Sequence, residues 1–234
     1  MTGRQLIRRG GVVAALGAWT TLIGVAAPVA VAQPCPDVEV VFARGTGEAP
    51  GVGGIGQSFV DAVRAQAGPR TVGVYAVDYP AGDNFADRIG FVSTVVDGIR
   101  NETEHVQEMA ANCPNTKMIL GGYSQGAVVS GFATSAEVPP GVPADSVPAP
   151  MPPEVADHVA AVVLFAMPSA DFLGQFGAPA VTIGPLYDPK TLQLCDPGDS
   201  ICSGAPGGGP NLAHAMYAVN GSVNEGAAFA VGRL

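Results

Sequence analysis

Positive charge is scarce in this chain. Eleven Lys and Arg stand against twenty Asp and Glu, a formal charge of −9. An acidic protein of this kind is a poor partner for nucleic acid or anionic lipid headgroups. Beyond the N-terminal segment there is no apolar run long enough to span a bilayer. There are only four cysteines, in no C-x-x-C or paired-histidine spacing, so zinc ligation has no support. The glycine-rich residues 45–56 lack the G-K-[ST] ending of a P-loop and the spacing of a dinucleotide fingerprint, which sets nucleotide binding aside. No internal repeat is present. The only tryptophan, Trp19, sits near the N-terminus.

That N-terminus reads as an export signal. Arg4, Arg8 and Arg9 form a positive region, an apolar run follows from Val12 to Val25, and Ala30-Val31-Ala32 supplies a small-x-small cleavage pattern. The expectation is a signal peptide over residues 1–32, cleaved near Ala32, and one mature domain over 33–234 that is secreted or cell-wall associated. A retained anchor fits less well, because the apolar stretch is broken and shorter than a spanning helix. The Arg8-Arg9 pair leaves both the general and the twin-arginine export routes open. Losing three arginines and no acid takes the formal charge from −9 to −12. Cys35, Cys113, Cys195 and Cys202 all lie in the exported part, and an even count there suggests two disulfides. The closeness of Cys195 to Cys202 favours that pair, with Cys35–Cys113 as the other.

About 200 residues suffice for one well-cored domain. Apolar runs predict strands over 38–43, 71–79, 117–121, 159–165 and 191–195, and the fourth is continuous and β-branched, as in a strand buried on both faces. Helical patterns lie between them. Phe59, Val60 and Val63 face inward from one, and a long amphipathic stripe steps through Ile89, Val92, Val96, Ile99, Thr103, Val106 and Ala110. Alternation of this kind predicts a parallel α/β sheet with helices on both faces. Residues 135–153 carry seven prolines and almost no large apolar side chain, which reads as a surface excursion rather than a second domain.

The chemistry centres on Gly122-Tyr123-Ser124-Gln125-Gly126. A strand before it and a helix after it are the context of a nucleophile elbow, in which a tight turn holds the serine hydroxyl out of the sheet edge. A serine needs a base, and the base needs a carboxylate that fixes its tautomer. Of three histidines, only His214 follows both the serine and a plausible acidic loop; His105 lies on the long helix and His158 immediately before the fourth strand. The acidic loop is Cys195-Asp196-Pro197-Gly198-Asp199-Ser200-Ile201-Cys202, and spacing alone does not choose between Asp196 and Asp199. Residues 204–210, rich in glycine, read as a hinge ahead of His214.

In these blocks the chain resembles the cutinase family, most closely its exported actinobacterial (mycobacterial) serine esterases. Phe42-Ala43-Arg44-Gly45-Thr46-Gly47-Glu48 is similar to the family's oxyanion loop, and the serine motif, the acidic loop and Ala213-His214 with Tyr217 follow in the family order. The resemblance implies a small α/β-hydrolase with a five-stranded parallel sheet and no large lid. It implies Ser124 as nucleophile, Asp199 as acid and His214 as base, with Thr46 and Gln125 N–H groups as oxyanion hole. Thr46 stands where fungal members carry serine. The family pairing of cysteines is again Cys35–Cys113 and Cys195–Cys202. The activity implied is hydrolysis of carboxylic esters, from short-chain esters to lipids and cutin-like polyesters, with no metal or organic cofactor and at most transient contact with a lipid interface. Two other outcomes share this architecture: an acyltransferase with a lipid or sugar alcohol as acceptor, and an inactive lipid- or carbohydrate-binding protein.

Overall fold

The structure, a computed structural model, describes residues 34–234. The expected signal peptide lies outside the described residues. Five strands, β1 (Val38–Ala43), β2 (Val72–Ala76), β3 (Lys117–Tyr123), β4 (Val159–Phe165) and β5 (Thr191–Leu194), form one sheet in the order β2-β1-β3-β4-β5. Every pairing is parallel. Parallel neighbours need crossovers, and these are α1 (Gly53–Gln66), α2 (Arg88–Asn112) and α3 (Gln125–Ala133), with α6 (Ser222–Val231) closing the chain. Two short helices, α4 (Ala170–Gly174) and α5 (Leu212–Ala215), flank the end of the sheet.

Side chains of a strand alternate between faces, so the sheet builds two cores. Val38, Val40 and Phe42 of β1 join Phe59 and Val63 of α1, Phe165 of β4 and Ala227 of α6 on one face. Val41 and Ala43 join Ile99 and Val106 of α2 and Val129 of α3 on the other. Both faces are covered, which is why β1 is buried along its whole length. Strand β2 stops sooner than residues 71–79 suggested. Arg44 and Tyr79 instead link the loops beyond the strand ends: the Tyr79 hydroxyl donates to the Arg44 carbonyl, and the Arg44 guanidinium donates to the Tyr79 carbonyl. The disulfide Cys35–Cys113 joins the entry to β1 with the end of α2.

Chain direction places the site. From β1 the chain moves outward to β2, then returns past β1 to β3, so connections diverge between β1 and β3. Loops leaving the carboxyl ends of these two neighbours form a crevice. Helix α2 starts at that same edge and, at 25 residues, spans about 37 Å against about 23 Å for a seven-residue strand. Its first turns therefore overhang the edge. The apolar stripe accordingly leaves the core there: Ile99, Thr103 and Val106 are buried, but Ile89 is 82% and Val92 45% exposed.

Candidate active site

Ser124 sits between β3 and α3 with φ 55° and ψ −115°. A non-glycine residue in that region costs about 1–3 kcal/mol and persists only where its surroundings impose it. Here they do. Its N–H donates to the Phe165 carbonyl at the end of β4 (2.9 Å), and its carbonyl accepts from Val128 N one turn into α3 (3.2 Å). A side chain at Gly122 would overlap the Gly126 backbone, and one at Gly126 would overlap the carbonyls of Ala43 and Arg44. The two motif glycines thus let β1, β3 and α3 converge where any Cβ would push them apart.

The loop after β1 is equally constrained. Glu48 accepts from Gly45 N (2.6 Å) and Gly54 N (2.8 Å), Arg44 Nε donates to the Glu48 carbonyl (2.9 Å), and Gly47 N donates to the Ala81 carbonyl (2.7 Å). Thr46 lies within this clamp, on the same cleft as Ser124 and Gln125. Among the described residues no hydrogen bond uses the Thr46 N–H or the Gln125 N–H. Gln125 opens α3, so its N–H has no carbonyl one turn behind it. Its side-chain Nε2 donates to the Gly82 carbonyl (3.1 Å), which fixes the residue against the opposite loop.

Beyond β5 the disulfide Cys195–Cys202 closes the acidic loop. The two aspartates have different surroundings. Asp196 is partly exposed and holds the loop itself, accepting from Gly198 N (2.8 Å) and Asn220 Nδ2 (3.0 Å). Asp199 is fully buried. Its Oδ1 accepts from Ile201 N (3.0 Å) and its Oδ2 lies 2.8 Å from His214 Nδ1. His214 Nε2 lies 3.0 Å from Ser124 Oγ. The structure therefore brings Ser124, His214 and Asp199 into one chain of hydrogen bonds and leaves Asp196 out of it.

His214 is anchored on several sides. Asn211 caps α5 by accepting from the His214 N–H (3.0 Å), and the Tyr123 hydroxyl donates to the His214 carbonyl (2.7 Å). Burial pushes the Tyr123 hydroxyl up to about 12, helped by the charges of Glu48 and Asp199, so it remains a donor. The glycine-rich run ahead of His214 is tied back to the acidic loop, since Ser200 Oγ donates to the Gly209 carbonyl (2.9 Å) and Asn211 Nδ2 donates to the Gly198 carbonyl (3.0 Å). The other two histidines stay apart. His105 stacks on Tyr75 with its Nε2 2.8 Å from Glu39, and His158 ends the turn before β4.

A cleft of about 760 Å³ opens at Ser124 and His214. Its walls are apolar: Val95 and Ile99 from α2, Val142 and Val147 from the Pro-rich segment, Phe172 and Phe176 from α4 and its exit. The Pro-rich segment is thus more than a surface excursion. Its few apolar side chains are spaced so that they line the cleft, and Met151 anchors its end in the core. The rings of Phe85 and Phe91 meet Phe176 across the cleft at centroid distances of 5.5 and 6.3 Å.

Comparison with known proteins identifies the family. The family model for cutinase matches residues 34–234. A probable carboxylesterase, Culp7, of Mycobacterium tuberculosis is 60% identical over 170 residues, 73% of this chain and 89% of that protein. Carboxylesterase Culp1 of Mycobacterium bovis is 45% identical over 240 residues, 100% of this chain and 98% of that protein. Among solved structures, Trichoderma reesei cutinase in complex with a phosphonate inhibitor superposes with a TM-score of 0.61 at 33% identity, covering 85% of this chain and 77% of that one. The chain belongs to the cutinase family.

Proposed function

We propose that this protein is an exported carboxylic ester hydrolase working through an acyl-enzyme on Ser124. The observation that carries this reading is the continuous path from Ser124 Oγ through His214 to Asp199, opening on an apolar cleft. His214 Nε2 takes the Ser124 proton as the oxygen attacks an ester carbonyl. Asp199 holds the imidazole with Nδ1–H inward and stabilises the cation that forms. The free N–H groups of Thr46 and Gln125 receive the oxyanion, each such donor contributing about 3 kcal/mol when measured by deletion. His214 then protonates the departing alcohol, and water repeats the sequence on the acyl-enzyme.

The cleft supports an ester whose acyl group is an alkyl chain. Each methylene it buries contributes about 0.8 kcal/mol. Phe85, at 40% exposure, and Val92 border the cleft, and Ile89 lies on the same overhang of α2; this apolar rim suits brief contact with a lipid surface. Export is supported by the signal-like N-terminal sequence and the two disulfides, and among the described residues no helix is long and apolar enough to cross a membrane.

Labelling with a serine-directed fluorophosphonate tests the reading. The protein should take up one equivalent with loss of ester hydrolysis, and Ser124→Ala should take up none. Labelling that survives in Ser124→Ala would overturn it. Product analysis with a competing alcohol reports how acyl groups divide between water and alcohol.

A further inference from the structure

Tyr217 is the one fully buried tyrosine beside the site, and the reaction as described does not use it. Its ring is wedged under the site, edge-on to Phe165 at 6.4 Å and tilted against Tyr123 at 6.2 Å. Its hydroxyl lies 2.9 Å from Asp199 Oδ2, 2.9 Å from Asp196 N and 3.3 Å from Cys202 Sγ. A phenol has one proton to give. The Asp196 N–H is itself a donor and the disulfide sulfur is a weak acceptor, so the phenol proton goes to the carboxylate. The result is a directed chain: Asp196 N–H to Tyr217 oxygen, Tyr217 O–H to Asp199 Oδ2.

Oδ2 is the oxygen that also faces His214 Nδ1. Asp199 therefore has three donors, with the phenol and the imidazole sharing one oxygen and Ile201 N–H holding the other. We propose that Tyr217 is a positioning residue that acts through Asp199, fixing the carboxylate rotamer and moderating how strongly it holds the imidazolium.

Two consequences follow, opposite in sign. A carboxylate free to rotate holds the imidazole less precisely, which slows proton transfer. A carboxylate with one fewer donor is less well stabilised by its own surroundings, so it holds the imidazolium more strongly and the base releases its proton only at higher pH. Burial raises the Tyr217 hydroxyl well above the ordinary tyrosine value, with the neighbouring aspartates adding to it. The phenol thus stays protonated, and a donor, wherever the reaction runs.

This rests on the triad reading above, and the experiment separates the two. Tyr217→Phe removes the hydroxyl and keeps the ring. On a soluble short-chain ester its kcat should fall about tenfold, the scale of one hydrogen bond to a buried charge. KM should be unchanged, and the acidic limb of kcat/KM should move to higher pH. In an Asp199→Ala background the same substitution should cost nothing more in the rate of fluorophosphonate labelling, because a residue acting through Asp199 has nothing left to act on. Equal losses in both backgrounds, or an unmoved acidic limb, would overturn the proposal and leave Tyr217 a packing residue. Site-specific 3-fluorotyrosine at 217 serves if Tyr217→Phe does not fold. It keeps the shape and strengthens the donor, so the limb should move to lower pH, and no movement would again refute the role. Failure of the parent protein to label at Ser124 would overturn the triad reading instead.

Discussion

Glu102 offers a sharp test of the packing beneath Ser124. It lies on the face of α2 turned to α3 and is fully buried, with Oε2 3.0 Å from Ser130 Oγ and Oε1 without a partner. Ser130 Oγ also lies 2.9 Å from the Gly121 carbonyl, three residues before Ser124. A serine has one proton and cannot serve both oxygens; a neutral Glu102 that donates to Ser130 leaves the serine proton for the carbonyl, and both oxygens are then satisfied. Burial accordingly pushes its carboxyl from 4.5 up to about 8. The sign is fixed by linkage. Between pH 4.5 and 8 the unfolded chain releases a proton that the folded chain keeps, so this group lowers stability as pH rises, by about 1.4 kcal/mol per unit. At pH 7 that amounts to about 3 kcal/mol. Glu102→Gln removes the titration and keeps a donor for Ser130. Its second N–H finds no partner, which takes back about 1–2 kcal/mol. The net gain at pH 7 is then about 1–2 kcal/mol, or about 2–8 °C in melting temperature for a domain of this size. Urea denaturation of both proteins at pH 5, 6 and 7 reads it most directly. The variant should be no more stable at pH 5 and should gain on the parent with each unit. A stability difference that does not change with pH would show that Glu102 is ionised in the folded protein, and the assignment of donors around Ser130 would fall with it. Tyr79, which also faces this carboxyl, stays protonated throughout because its own burial raises it, so it adds no slope in this window.

Two further outcomes follow from the site. Asp199→Asn should lower kcat on the order of 10⁴-fold by presenting the wrong tautomer partner to His214, whereas Asp196→Asn should cost less than about tenfold and act through loop stability; steady-state kinetics on a soluble ester decides, and the reverse ranking would move the acid to Asp196. Shortening the wall between Pro140 and Val147 should flatten the rise of kcat/KM with acyl chain length, each lost methylene contact being worth about 0.8 kcal/mol, while turnover of an acetyl ester stays within a few-fold; a folded deletion that loses acetyl ester turnover would show that the wall supports the chemistry itself.

Some features were legible because their cause is local. Strand β4 reads as buried on both faces because nothing in Val159-Ala160-Ala161-Val162-Val163-Leu164-Phe165 interrupts it. The turn at Ser124 reads from its two glycines, and the steric overlap at Gly122 and Gly126 is the reason they are needed. The choice between Asp196 and Asp199 was not legible from spacing, since both lie in one eight-residue loop and differ only in which side chain the loop turns inward. Which side chains of residues 135–153 line the cleft was not legible for a related reason. Val138, Val142 and Val147 follow no helical or strand period, and the residues that line the cleft with them, on α2 and beyond α4, are distant in sequence. Composition registers such a segment as polar and kinked, which is true of it and silent about what its few apolar residues touch. The meeting of Phe85 and Phe91 with Phe176 is invisible in the same way.

Ser124 and its hydrogen-bonded partners are held by different physics. Ser124 is strained, and the strain is borne by rigid neighbours: a sheet hydrogen bond to Phe165 on one side, the first turn of α3 on the other, and glycine on both flanks. No single contact there can relax without moving a strand. Asp199 and His214 carry positive φ at neither position, and they sit on a four-residue helix and a disulfide-closed loop that have little regular structure of their own. What fixes them is a set of side-chain hydrogen bonds: Ser200 and Asn211 tie the acidic loop to the run ahead of His214, Asn211 caps the short helix, Tyr123 holds the His214 carbonyl from β3, and Tyr217 holds Asp199. Such bonds give about 1 kcal/mol each and open one at a time. Ser124 is therefore tied to the sheet itself, while the placing of Asp199 and His214 depends on a few polar contacts.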